Sequence, residues 1–145
     1  HEFDCYKFRS MNLNPKADIE QVSKNDPRIT RVGRFLRKTS IDELPQFINV
    51  FLGHMSVVGP RPHMVSHTEM YAQRVNKFMV RHFVKPGITG LAQTKGYRGE
   101  VEKETDIINR VKYDIFYMEN WSILLDIKII FMTIFNTVKG EDKAY

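Results

Sequence analysis

Two carboxylates stand side by side at Asp42 and Glu43, inside the stretch KTSIDELPQFINVFLGHMSVVGPRPH that covers residues 38–63. Arginines surround them. Arg28, Arg31, Arg34 and Arg37 recur at every third position before the pair, and Arg61 follows between Pro60 and Pro62. Adjacent acids raise each other's pKa unless cations compensate. Guanidinium forks match phosphate oxygens bidentately. The arginines around the acidic pair therefore suit a phosphate clamp. A plainer reading stands beside it. With Asp42 as N-cap, Pro45 would fall at the third helical position, where the backbone N–H is an orphan in any case. Ser40 and Glu43 also have capping-box spacing, but that start sets Pro45 too deep. On local grounds both readings stay open.

The basic row is equally two-sided. A residue at every third helical position drifts about 60° per step, so the row wraps the surface instead of lining one face. It is a solvated face or a phosphate clamp, and Arg37 is its member nearest Asp42. Arg61 is held on both sides by proline, which fixes its backbone at little entropic cost and favours a ligand role. KPGITGLAQTKGYRG, residues 85–99, carries four glycines. It is a tight turn or a set of backbone N–H groups set against a phosphate or uridine, with Gln93 and Arg98 as the contact side chains. Asp114 lies among tyrosines on a helix, as an ordinary polar-face residue or a support for the site. The five histidines show no metal-binding spacing.

The elements that must position these groups follow from periodicity and breakers. Residues 1–14 are a mixed arm and 15–27 a loop. A basic helix is expected over 28–39. A second helix over 43–52 would carry Leu44, Phe47, Ile48 and Phe51 as its apolar face, ended by Gly53. MSVVGPRP is extended and turns at Gly59-Pro60. An amphipathic helix is expected over 64–83, a short strand over 88–93, and helices over 102–120 and 121–138. In the last, Glu119, Ser122, Asp126, Thr133 and Thr137 form a narrow polar stripe. It is either a core helix or one lying partly in the headgroup boundary, with Trp121 and Lys128 near the interface. The expected fold is a small, predominantly helical α+β domain with a short strand and loop region and amphipathic membrane-interface helices.

Composition bounds the rest. The 145 residues, 42% of them hydrophobic, suit one domain spanning 1–145. A net charge of +5 favours an anionic partner: nucleic acid, a phosphorylated metabolite or acidic lipid. The single cysteine, Cys5, excludes an internal disulfide and fits a reducing compartment. No apolar run reaches the length of a spanning helix. With no initial methionine, the chain reads as a fragment.

RITRVGRFLRKTSIDELPQFINVFLGHMSVVGPRP, followed by PGITGLAQ and YDIFYMENWSILLDIKII, closely resembles the bacterial sugar transferase family, the polyprenyl-phosphate hexose-1-phosphate transferases. The resemblance covers about 7–145. It implies transfer of a sugar-1-phosphate from a UDP-sugar to membrane polyprenyl phosphate, with Mg²⁺ and release of UMP, starting capsule, exopolysaccharide or glycan assembly. It implies work at the cytoplasmic face of the bacterial inner membrane, and a membrane-inserted segment before the present N-terminus. By resemblance Asp42 is the nucleophile and a Mg²⁺ ligand, and Glu43 is its partner. Arg37 and Arg61 hold phosphate or nucleotide, and Lys7 and Arg9 in YKFRSM match a basic motif. His54 departs from the pattern, since the family often has an acid there that serves local structure; the change makes a metal-ligand role for that position harder to argue. Two other readings fit the charge: a nucleic-acid-binding module, and a catalytically inactive membrane scaffold.

Overall fold

The computed structural model describes residues 2–13, 22, 23, 25–99, 101 and 103–139, so the loop expected over 15–27 lies largely outside it. Helix α1, Arg31–Lys38, begins where the Thr30 hydroxyl accepts the Gly33 N–H at 2.9 Å, an ordinary side-chain cap. Gly33 is required by close approach. A Cβ there would sit 1.8 Å from the Ser10 carbonyl oxygen, because the N-terminal arm crosses α1 at this point. The Thr30 N–H donates to the same carbonyl at 3.1 Å.

Neither capping reading of the acidic pair holds. Ser40 takes a left-handed φ of 58° and makes no side-chain cap. Asp42 and Glu43 lie in a 3₁₀ turn, Ile41–Glu43, and both are buried. Helix α2, Gln46–Phe51, starts one turn later than expected, with Pro45 itself at the N-cap. Its predicted apolar face is present but not covered: Leu44, Phe47 and Ile48 are exposed, and Phe51 is 92% exposed.

Strands β1 (Ser56–Val58) and β2 (Gly87–Thr89) pair in parallel, Ser56 against Gly87 and Val58 against Thr89. The glycines at this crossing are steric. A Cβ on Gly87 would meet the Gly59 nitrogen at 2.1 Å. The Gly87 N–H is spent on the Pro60 carbonyl at 2.9 Å, so this glycine ties the loop to the Pro60–Pro62 turn. The strand expected over 88–93 is cut to three residues. Helix α4, Leu91–Thr94, follows at once.

Between the strands, the single helix expected over 64–83 is broken. Helix α3 is Val65–Arg74, Val75 is extended, Lys77 is left-handed at φ 61°, and a 3₁₀ segment runs Phe78–Phe83. The break turns Val75, Phe78 and Arg81 inward together. Val75 and Phe78 pack with Tyr71 against Ile107 and Val111 of helix α5, Glu104–Glu119. Helix α6, Ile123–Lys139, docks by Ile129 on Val58, Leu91 and Tyr117. The Tyr117 hydroxyl donates to Asp126 at 2.8 Å and fixes the α5–α6 corner. The architecture is a small α+β domain: helices around a two-stranded parallel sheet. No helix among the described residues is long and apolar enough to cross a membrane.

Gly33→Ala tests the arm. It should cost about 2 kcal/mol or more in urea unfolding, as overpacking against backbone does. It should also speed reaction of Cys5, a partly buried arm residue, with a thiol reagent. Unchanged stability and reactivity would show that the arm does not depend on this crossing.

Candidate functional site

Glu43 gathers cations from three distant segments. Lys7 Nζ lies 3.3 Å and Arg61 Nη2 2.8 Å from its Oε1, and Arg98 Nη2 lies 2.8 Å from its Oε2. Arg98 Nη1 also donates to Ser40 Oγ at 2.8 Å, which uses the left-handed turn as a second fixing point. Lys7 is delivered by the arm, and the arm is held by Asn49 of α2. The fully buried Asn49 accepts the Tyr6 N–H at 3.0 Å and donates to the Asp4 carbonyl at 2.7 Å. The Phe8 N–H donates to the Asp42 carbonyl at 2.9 Å.

The two acids are therefore in different electrostatic states. Burial alone would push the Glu43 carboxyl up, but Arg61, Lys7 and Arg98 overcome it and hold it well below the usual carboxylate range. For Asp42, burial raises the carboxyl and the neighbouring Glu43 charge raises it further. Lys7, Arg37 and Arg98 offset this only in part. Among the described residues no cation pairs with the Asp42 carboxylate as three do with Glu43. The compensation that the sequence suggested for the pair goes mainly to Glu43. Asp42 keeps uncommitted lone pairs beside a field of positive charge.

The other expected site residues divide. Arg37 is half-buried, with Nη1 3.4 Å from Ser10 Oγ, and its charge faces Asp42. Arg61 and Arg98 join the cluster directly, as does Lys7. Arg9 is exposed and takes no part in it. Gln93 is buried, with its Nε2 turned to the Ile88 carbonyl at 3.3 Å. It lines the same cavity as Glu43 and Arg98, with its Oε1 buried and without a hydrogen-bond partner among the described residues. His54 is exposed beside the Phe3 ring.

Asp114 is not an ordinary polar-face residue. It is 2% exposed and pairs at 2.9 Å with Arg81, itself 3% exposed. The same Arg81 Nη2 donates to the Arg61 carbonyl at 2.7 Å. A buried ion pair therefore backs the segment that presents Arg61. Burial pushes the Asp114 carboxyl up to about 6, against the pull of Arg81 and Arg110. Arg81 was missed from sequence, as were Asn49 and Ser40. One signal was available for Arg81: it stands three residues after Phe78, on the inward spacing of an apolar run.

Among the described residues no three His, Cys, Asp or Glu side chains gather as a metal cluster. A cavity of about 340 Å³ opens beside Glu43 and Arg98, between the sheet, α2 and α6. Beyond it, α6 is not a core helix. Only Ile129 is buried, while Leu124, Phe131, Ile134, Phe135 and Val138 are exposed. Its polar stripe divides: Glu119 and Ser122 are exposed, whereas Asp126 accepts from Tyr117 and Thr133 meets Thr89 at 2.6 Å; Asn136, outside the stripe, donates to the Thr94 carbonyl at 3.1 Å. Exposed apolar area on this scale marks an interaction surface.

Residues 1–140 match the model of the bacterial sugar transferase family, and the chain belongs to that family. It is 56% identical, over 90% of its length, to a UDP-glucose:undecaprenyl-phosphate glucose-1-phosphate transferase of Klebsiella pneumoniae. It is 54% identical over 90% of its length to the protein of the same name from Escherichia coli K12. It is 49% identical over 99% of its length to that of Xanthomonas campestris pv. campestris. The chain spans 28%, 28% and 30% of those three relatives.

Asp114→Asn should cost about 3–5 kcal/mol in chemical unfolding, because it leaves the buried Arg81 charge without its partner. A loss below about 0.5 kcal/mol, within the range of a surface substitution, would show that the Arg81–Asp114 pair does not brace the Arg61 segment.

Proposed function

We propose that the chain transfers a sugar-1-phosphate from a UDP-sugar to a polyprenyl phosphate through a phosphosugar-Asp42 intermediate, at the cytoplasmic face of the membrane. The observation that carries this reading is the unequal pair. Glu43 is neutralised by Lys7, Arg61 and Arg98, while Asp42 beside it keeps a carboxylate with no ion-pair partner among the described residues. The names of the three relatives support the substrate classes.

In the first step an Asp42 oxygen attacks the β-phosphorus of the UDP-sugar. The bond from that phosphorus to the oxygen bridging to the α-phosphate breaks, and UMP leaves with that oxygen. The product is an acyl phosphate carrying the sugar. In the second step a phosphate oxygen of the polyprenyl phosphate attacks the same phosphorus. The Asp42 carboxylate is released and a polyprenyl-diphosphate sugar forms. Little covalent work falls to the protein beyond positioning and charge neutralisation. Arg61 and Arg98 hold phosphate oxygens, Lys7 adds a point charge, and Arg37 keeps positive charge facing Asp42. Glu43 keeps these cations in place before the substrate arrives.

Mg²⁺ is usually held by one or two carboxylates together with substrate phosphates, and this donor set fits that pattern. Asp42 would hold the ion, since both Glu43 oxygens are engaged with cations. When bound, the ion supplies charge that neutralises the diphosphate. The exposed apolar faces of α2 and α6 flank the cavity beside Glu43 and rest in the headgroup boundary, which brings a lipid-linked acceptor to the site.

Asp42→Asn should fold normally and lose turnover by at least about 1,000-fold, as removal of a nucleophile does. Intact mass with a UDP-sugar and Mg²⁺ should show the sugar-phosphate adduct on the parent and none on the variant. Normal turnover by folded Asp42→Asn would overturn the nucleophile assignment. Below its pKa Asp42 is protonated and cannot attack. The acid limb of UMP release should therefore lie above the ordinary aspartate value of 3.8. Arg61→Lys keeps the charge but not the fork, and should cost about 10–100-fold in kcat/KM. Equal kinetics would make Arg61 a structural residue only.

A further inference from the structure

The cavity beside Glu43 and Arg98 is built for a hydrocarbon. Its volume, about 340 Å³, is at the lower end of the range for small-molecule sites. Val57 and Ile88 of the sheet face Ile130 and Ile134 of α6 across it. Five threonines complete the wall, and their hydroxyl protons are already used inside the protein. Thr133 donates to the Ile129 carbonyl at 2.8 Å, which leaves Thr89 to donate to Thr133 at 2.6 Å. Thr137 donates to the Thr133 carbonyl at 2.9 Å, Thr94 to that of Leu91 at 2.8 Å, and Thr39 to that of Phe35 at 2.9 Å. Hydroxyls satisfied in this way offer no spare donor to a ligand. A sugar ring buried there would meet acceptors, among them the unpartnered Oε1 of Gln93, but no threonine proton for its acceptor oxygens, which would be left underpaired at a cost for each.

The lining is uneven. Glu43, Ser40 and Arg98 make its charged and polar part, where the Arg98 guanidinium bridges Glu43 and Ser40. Leu44, Phe47 and Ile134 also line it and are themselves exposed, so it is continuous with the apolar faces of α2 and α6. A mostly apolar slot that holds a guanidinium and opens onto an apolar surface matches an amphiphile with an anionic head and a branched hydrocarbon tail.

We propose that this cavity is the acceptor subsite. It holds the first isoprenoid units of the polyprenyl phosphate, with the phosphate at Arg98 and the chain leaving past Ile134. The assignment rests on the transfer reaction proposed above and locates its acceptor within the fold. The acceptor phosphate then arrives beside Asp42 from the lipid side.

The test compares Ile134→Trp, which extends a ring across an exposed opening, with the parent in detergent micelles. The KM for polyprenyl phosphate should rise at least about tenfold more than the KM for the UDP-sugar. A second measurement does not depend on any variant. Farnesyl phosphate bearing a diazirine on its first isoprene unit is irradiated with the parent chain, and the labelled peptides are mapped. Label should fall within residues 88–94 or 130–137 and be competed away by polyprenyl phosphate. Equal shifts in both KM values would place the donor in the cavity and overturn the proposal. So would label confined to other segments. If the parent turns over and either result goes against the cavity, only the subsite falls. If the parent neither forms the Asp42 adduct nor transfers any UDP-sugar tested, the transfer reading falls and takes the subsite with it.

Discussion

One buried carboxylate, Glu43, attracts more positive charge than it can neutralise. Lys7, Arg61 and Arg98 converge on it from 36, 18 and 55 residues away. Three cations against one anion leave an excess of positive charge beside a cavity that Glu43 and Arg98 line, and desolvation makes that excess costly. The Asp42 carboxylate next door offsets part of it, and burial together with the Glu43 charge raises that carboxyl above its ordinary value. Such a site is incomplete without an anion. Much of the surrounding fold can be read as the means of bringing three chain segments to within hydrogen-bond distance of one side chain. The arm is fixed by Asn49 and by its crossing at Gly33. Arg98 is fixed by Ser40.

Arg61 has the most elaborate support. Pro60 and Pro62 limit its backbone, the Gly87 N–H holds the Pro60 carbonyl, and Arg81 holds the carbonyl of Arg61 itself. Arg81 is in turn held by Asp114 from α5. A buried ion pair is weak as a source of stability, since a well-packed apolar pair often does as well. What an apolar pair could not do is donate a hydrogen bond to a backbone carbonyl. The Arg81–Asp114 pair therefore makes sense as positioning, and the helix break at Val75 that turns Arg81 inward serves the same end.

The acid pair, the arginines at 37, 61 and 98 and the helices α1, α5 and α6 could be read from sequence because each has a local signature: adjacency, proline flanks, or a 3.6-residue period. What could not be read depends on contacts between segments. The glycines of residues 85–99 suggested a tight turn or a phosphate cradle. Gly87 is required by a backbone crossing with Gly59, which no local pattern encodes. The capping signals at Ser40 and Asp42 were chemically sound, but tertiary demand overrode them: Ser40 is used by Arg98, and Asp42 is buried. The helix expected over 64–83 failed for a related reason. Periodicity continued through Val75, but burying Val75, Phe78 and Arg81 together required the chain to leave the helix. Apolar periodicity in α2 and α6 was read correctly as pattern, yet pattern alone does not say whether the apolar face meets protein or something else.

That last distinction carries the closing step. In α6 the inward face is mixed: Ile129 packs on the core with Leu125 and Ile130 beside it, while Thr133 and Asn136 bond to the sheet and α4, and Leu124, Phe131, Ile134, Phe135 and Val138 turn outward. Inward polar groups would be a liability in a dry core, and each is paired. Outward apolar groups would be a liability in water. Both choices become consistent if the outer surface meets lipid and the inner surface bounds a slot leading to charge. The two-step transfer proposed above suits this geometry. In that proposal the donor would enter beside the cations and leave its phosphosugar on Asp42. The acceptor would then approach the same phosphorus from the apolar side, without both substrates ever occupying the site together. Under the proposed transfer, the exposed apolar side of one helix and the charge imbalance around one glutamate would serve a single requirement: meeting a phosphate at the boundary between water and hydrocarbon.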